Sequence, residues 1–282
     1  MTKTNNKTLH KILIKTRRQV FSEISGNNTS ALKGEGYDFC ELKEYEYGED
    51  VKNIDWVISA KLHTPYVKVF HTQKELNIAI IPILTGSVFF GSKRLKQELI
   101  TEVASLIGYS CVKQSDPFSS YIANETLALN TKKTKRLLGV NMMSETIFNY
   151  KALGKDVEYK MLCNEIYKTI KKRSILFLIG DFIDIEKLDL TLLSKKHELL
   201  LIIIRDKFEE EPFELGNIHF IDSNTSKPFE GNMNQSLINA YKTKIKENDH
   251  TLLLHLQKCG IKFTKIYTHE EPFGKLMGLM NR

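Results

Sequence analysis

The chain has 282 residues, of which 41% are hydrophobic and 27% charged, and a formal charge of +7. That suits one large domain, or one domain with a substantial extension, and rules out a disordered or collagen-like chain. The longest apolar run, Leu199 to Ile204, is strand-sized and far short of the roughly 20 residues a bilayer-spanning helix needs. The opening MTKTNNKTLHK has no apolar core and no small-residue cleavage site, so the sequence predicts a cytoplasmic chain. Cys40, Cys111, Cys163 and Cys259 are scattered without a CxxC pair, which argues against disulfides and a structural zinc site.

Leu9, Ile12, Leu13, Thr16, Val20 and Ile24 recur at helical spacing and end before Gly26-Asn27-Asn28. They predict an amphipathic helix over residues 1–28 that packs on its own domain, with a membrane-surface helix as the alternative. Residues 29–75 have no helical period, are rich in Tyr, Val and Ile, and are broken by Gly34, Gly36, Gly48 and Pro65. This predicts a β-rich segment of short strands and tight turns. Within it the seven acids Glu35, Asp38, Glu41, Glu44, Glu46, Glu49 and Asp50 stand against Lys43 alone, opposite in sign to the basic stretch before them. Two patches of opposite sign suit the orienting of a protein partner; a solvated surface is the plainer alternative.

From residue 76 to 282 the texture is that of an α/β domain. Continuous apolar runs at Ile78–Leu84, Ser174–Ile179 and Glu198–Ile204 read as strands covered on both faces. Helices are predicted near 93–112, 137–150, 156–172, 185–195 and 234–259. A weaker strand or hairpin is predicted over Phe118–Leu129 with a basic loop at Thr131–Arg136, short strands near 217–222 and 226–230, and a closing strand at Lys262–Tyr267 followed by a short helix. The fold class is therefore α/β, a doubly wound, mainly parallel sheet. In such sheets ligands bind at the carboxyl ends of strands, which places Thr85-Gly86-Ser87 and Gly180-Asp181 on one rim.

A hard cation such as Mg²⁺ takes about six oxygens, with one or two carboxylates among them. Thr85, Ser87 and Asp181, with Thr131 or Thr134 from a second loop, would supply part of such a set, but Ile83 stands where a strand-end carboxylate is needed. The site is therefore degenerate, no cofactor is expected, and Mg²⁺ remains the open alternative. Capping of the following helices by Thr85, Ser87 and Asp181 is the structural alternative. Trp56, the only tryptophan, is expected to anchor a core. Asp50 and Asp55 are expected to be buried partners of Lys52, Lys61 or Lys68.

The stretch GEGYDFCELKEYEYGEDVKNIDWVISAK from Gly34, followed by Pro65-Tyr-Val-Lys68, resembles the signature of the bacterial domain of unknown function number fifty-eight. It contains Gly34, Gly36, Asp38, Phe39, Tyr45, Gly48, Asp50, Asp55, Trp56 and Lys61, and the resemblance covers most of residues 30 to 205. Lys43, Lys52 and Lys61 replace arginines of the pattern, and Glu49 replaces its first aspartate after the glycine. The resemblance implies a von Willebrand A-like domain, with Thr85, Ser87 and Asp181 at the metal-site positions. It also implies a MoxR-type AAA+ ATPase as partner.

The expected function is a non-enzymatic protein-binding adaptor that acts through residues 83–92 and 181–184, with Ser92, Asp184, Thr131 and Thr134 as partner-binding candidates. No small-molecule substrate is expected, since there is no P-loop, G-x-S-x-G elbow or dinucleotide turn. A metal-dependent version of the module is one alternative. A nucleic-acid-binding protein using the N-terminal helix, Lys132–Arg136 and Lys168–Arg173 is the other, ranked last because no recognition motif accompanies the charge.

Overall fold

The computed structural model describes residues 2–23, 39–70, 77–213, 216–221 and 228–280. The chain forms two compact units: Met1–Ser25 with Leu76–Arg282, and Gly26–Glu75.

In the first unit, α1 (Thr2–Glu23) buries Leu9, Ile12, Thr16 and Val20 and packs on α3 (Lys96–Lys113) and α4 (Leu137–Phe148). A six-stranded sheet runs in the order β10-β7-β6-β3-β4-β5. Its strands are β3 (Ile78–Pro82), β4 (Phe118–Ala123), β5 (Leu127–Thr134), β6 (Ile175–Gly180), β7 (Glu198–Arg205) and β10 (Lys262–Tyr267). All neighbours are parallel except the β4–β5 hairpin. The apolar runs of β3, β6 and β7 follow from this, because both faces of the sheet are covered. On one face Ile80, Phe177 and Ile202 pack with residues of α3, α4 and α9 (Pro272–Met280). On the other Ile81, Leu178 and Leu201 pack with α5 (Tyr159–Thr169), α6 (Thr191–Lys196) and α8 (Gln235–Lys258). A four-residue helix, α7 (Lys207–Glu210), follows β7, and β8 (Gly216–Ile221) pairs antiparallel with β9 (Pro228–Met233). Among the described residues no helix is long and apolar enough to cross a membrane.

In the second unit β1 (Phe39–Glu44) and β2 (Tyr66–Phe70) pair antiparallel. Between them the expected run of strands and turns is instead a 3-10 turn at Val51–Asn53 and the helix α2 (Trp56–Leu62). Asp55 starts that helix by accepting from the amides of Val57 and Ile58, as an N-cap does.

Candidate functional site at the strand-end rim

The chain leaves β3 for β4 on one side and returns later to β6 on the other. The carboxyl ends of β3 and β6 therefore flank the point where strand order reverses, the usual ligand crevice of an open α/β sheet. The loop after β3 turns through a 3-10 segment at Gly86–Phe89 and carries Thr85 and Ser87. Asp181 follows β6 directly. The three side chains meet: Ser87 Oγ donates to Asp181 Oδ2 at 2.5 Å, and the Thr85 and Ser87 hydroxyls are 2.8 Å apart. Neither hydroxyl caps a helix; Thr85 makes no cap bond, and the cap position of α3 is Leu95.

A cation completes the group. The Lys96 side chain, at the start of α3, is 0% exposed, and its ammonium lies 2.9 Å from Asp181 Oδ2 and 2.5 Å from Glu209 Oε1. Burial by itself would drive Lys96 toward the neutral amine; the charges of Asp181 and Glu209 outweigh it and hold the lysine above its ordinary value. Burial likewise pushes Asp181 up, but Lys96, the Ser87 hydrogen bond and Arg205 outweigh it and keep the carboxylate below its ordinary range. Glu209 is raised, by burial and by the neighbouring charge of Asp181. Arg205, fully buried at the end of β7, donates to the carbonyls of Asp181 and Phe182 and pairs with Asp249 at 2.8 Å. It fixes the backbone from which Asp181 projects.

These side chains do not fit a resident divalent ion. Asp181 Oδ2 is already committed to Ser87 and Lys96. Ile83 is 4% exposed and belongs to the apolar core on the α5 side of the sheet. Its side chain abuts Gly180 so closely that a Cβ there would lie 3.1 Å from that of Ile83.

A family model described as a protein of unknown function, DUF58, matches residues 41–251. The chain belongs to this family. Among relatives of the DUF58 chain, the uncharacterized protein Rv1480 of Mycobacterium tuberculosis is 18% identical over 268 residues, spanning 93% of this chain and 84% of the relative. The uncharacterized protein Mb1516 of Mycobacterium bovis matches to the same extent. Among solved structures, the conserved hypothetical protein BatB of Bacteroides thetaiotaomicron has a TM-score of 0.45 at 10% identity, over 73% of this chain and 100% of its own. An aerotolerance-related membrane protein of Bacteroides fragilis has a TM-score of 0.37 at 9% identity, over 66% of this chain and 98% of its own.

Two expected site residues of this DUF58 chain, Thr131 and Thr134, lie elsewhere. The segment read as a basic loop is mostly strand. Thr131 pairs with Ser120 on the edge strand β5, which β3 and β4 separate from β6. Thr134 pairs with Phe118, at the far end of β4 from the rim. Antiparallel pairing carries both threonines away from Asp181. Ser92 is occupied internally, its amide and hydroxyl both bonded to Asp206 Oδ2 at 2.8 and 2.9 Å. Asp184 is exposed beside the rim and accepts from the Glu186 amide at 3.3 Å.

In the second unit Gly34, Gly36 and Asp38 lie outside the described residues, as does the side chain of Phe39. Gly48 has φ 107°, a value that favours glycine. The Tyr45 amide bonds to the Pro65 carbonyl at 2.8 Å. Lys43 is salt-bridged to Glu49, so two departures from the family pattern satisfy each other. Asp55 pairs with Lys68 at 3.0 Å. Asp50 is exposed and accepts from the Lys52 amide, so it is a turn residue and not a buried ion partner. Lys61 is exposed in the last turn of α2. Trp56 is 66% exposed and anchors no core; at the first position of a seven-residue helix it projects into solvent.

Proposed function

We propose that this chain is a non-enzymatic protein-binding adaptor in the cytoplasm. In this reading it works through the strand-end rim without a divalent ion, and its partner is a MoxR-type AAA+ ATPase. The resemblance of the domain to the von Willebrand A type, and the partner that resemblance implies, supply the class. The observation that carries the ion-independent form is Lys96, whose ammonium lies on the carboxylate a metal would need. Chemistry argues against catalysis at the same place. A serine nucleophile needs a base, whereas Asp181 is held below the ordinary aspartate range and Lys96 above the ordinary lysine value. The first is a poor proton acceptor at neutral pH and the second has no free pair to accept with.

The test is crosslinking and affinity capture of the tagged full chain in its own host, in magnesium and again in EDTA. An AAA+ ATPase retained equally in both, and lost from Ser87→Gln of unchanged Tm, is the expected result. Retention only in magnesium would establish the metal-dependent module instead, and capture without any such ATPase would remove the partner.

One observation favours a nucleic-acid role. Lys132 and Lys133 of β5 and Lys171 and Lys172 after α5 line a single groove of about 370 Å³ with Asn77 and Ser174, at the amino ends of the strands. The two basic stretches singled out in the sequence thus share one surface.

A further inference from the structure

Beside the rim lies a cleft of about 460 Å³ whose walls come from three separate elements. Glu125 comes from the β4–β5 turn, Asp156 and Glu158 from the approach to α5, and Asp184 and Glu186 from the loop after β6. Lys187 is its one lining cation, and Lys155 reaches Glu125 at 3.2 Å. Asp156 and Glu158 suit the positive amino end of α5; Glu125, Asp184 and Glu186 belong to other elements and answer no such need. In a chain of +7 this concentration of carboxylates runs against the overall charge.

A second feature points to a ligand. Tyr159 lines the cleft yet is only 4% exposed, and its ring stacks on Phe182 at 5.9 Å. Its hydroxyl has no hydrogen-bond partner among the described residues, and burial first, then the charges of Asp181, Asp184 and Asp156 against that of Arg205, raise the phenol above its ordinary value. A buried phenol ordinarily finds a partner. The cleft is the open space that Tyr159 lines.

The carboxylates do not converge on an ion, since no three His, Cys, Asp or Glu among the described residues are close enough to hold a metal. Spread anions around a narrow cleft, with Val157 and Met161 among them, match long cationic side chains whose stems need apolar cover and whose heads need several acceptors. We infer that the cleft receives lysine and arginine side chains of a basic segment in the partner protein, with the Tyr159 hydroxyl accepting from one of the cationic heads. This rests on the adaptor reading and extends its rim to the α5 side.

The test uses the full chain and a fluorescein-labelled peptide of six arginines, followed by anisotropy at about 0.15 M salt. Glu158→Gln/Asp184→Asn/Glu186→Gln is compared with Glu145→Gln/Glu198→Gln/Glu247→Gln, a charge-matched change at exposed residues away from the cleft. The cleft triple is expected to weaken binding about tenfold, three exposed pairs at about 0.5 kcal/mol each, and the control less than about twofold. Tyr159→Phe is expected to weaken it about threefold with Tm unchanged, which a merely structural hydroxyl would not do. Equal losses from both triples, or no binding by the wild type, would overturn the inference. In the host capture experiment, retention of the ATPase by the cleft triple but not by Ser87→Gln would refute the cleft alone. Retention by both would refute the rim.

Discussion

Lys96 is the residue on which the rim turns. Removing one partner of a buried ion pair costs about 3–5 kcal/mol, because the remaining charge is left unpaired; here two carboxylates would be left facing each other. Lys96→Met is therefore expected to lose about that much in urea unfolding. Lys96→Ala opens room beside Asp181, Glu209, Ser87 and Thr85, two carboxylates and two hydroxyls of the kind Mg²⁺ accepts with water. Millimolar Mg²⁺ is expected to raise the Tm of Lys96→Ala by several degrees and leave the wild type unmoved; an equal response in both would show that the lysine does not hold the cation position. Asp206 gives a second test, in pH. It is fully buried and accepts from Ser92, Thr268 and the Phe208 amide; burial raises it, but these donors outweigh burial and leave it below the ordinary value. A depressed carboxylate contributes stability above its unfolded value, about 4, and loses it as the pH falls through the folded one. The stability gap between wild type and Asp206→Asn should therefore be full at pH 6 and shrink below about pH 4. Asp181, Thr85 and Ser87 were legible as rim residues from the strand pattern alone. Lys96 and Arg205 were not, although each left a trace, a cation on the apolar stripe with Leu99 and Val103 and a cation closing the run ELLLIIIR.

At the scale of elements, α1 is held to the body by charge as well as by its apolar stripe. Lys15 lies 2.7 Å from Glu102 of α3 and 2.5 Å from Glu271, and Arg94 also pairs with Glu102, whose side chain is 1% exposed. Glu102→Ala is expected to destabilise the protein by about 3 kcal/mol and to bring the first protease cuts into residues 2–23, read by limited proteolysis with mass spectrometry. Cuts confined to other segments would show that α1 does not depend on this pair. The long elements could be read from periodicity, since α1, α3 and α8 each supply many turns and β3, β6 and β7 are buried on both faces. Short elements were read where turn residues bound them, as for β8, β9, β10 and α9, but α2 was not. Seven residues of α2 hold too few turns to show a period; the reading of Asp55 as an ion partner holds in its pair with Lys68, and its second role as the N-cap of α2 is what the sequence does not show. β5 was read as a loop from Thr131 because an edge strand exposes one side to water and carries lysines there, as edge strands do.

In the α/β unit two clefts at opposite ends of the sheet are lined by opposite charge. At the carboxyl ends of the strands lie the rim and the acidic cleft; at the amino ends Lys132, Lys133, Lys171 and Lys172 share one groove. Only Lys133 among these four has a described side-chain partner, Asn77 at 2.6 Å, and none of the four has a carboxylate within salt-bridge distance among the described residues. The helices cannot account for this polarity by their dipoles alone, because the groove draws its charge from a strand and a connecting segment. A polyanion placed there would release about 0.9 counterion per phosphate neutralised on duplex DNA. The chain is therefore expected to bind duplex DNA weakly, with a steep dependence on salt. Replacing all four lysines by glutamine should lower the slope of log K against log salt by about 3 to 4. The cleft triple, which removes negative charge from the other end, should leave that slope unchanged. A slope that falls equally for any four surface lysines would mean that net charge alone sets the binding. The basic groove would then be a solvated face, and the acidic end would be the surface that selects a partner.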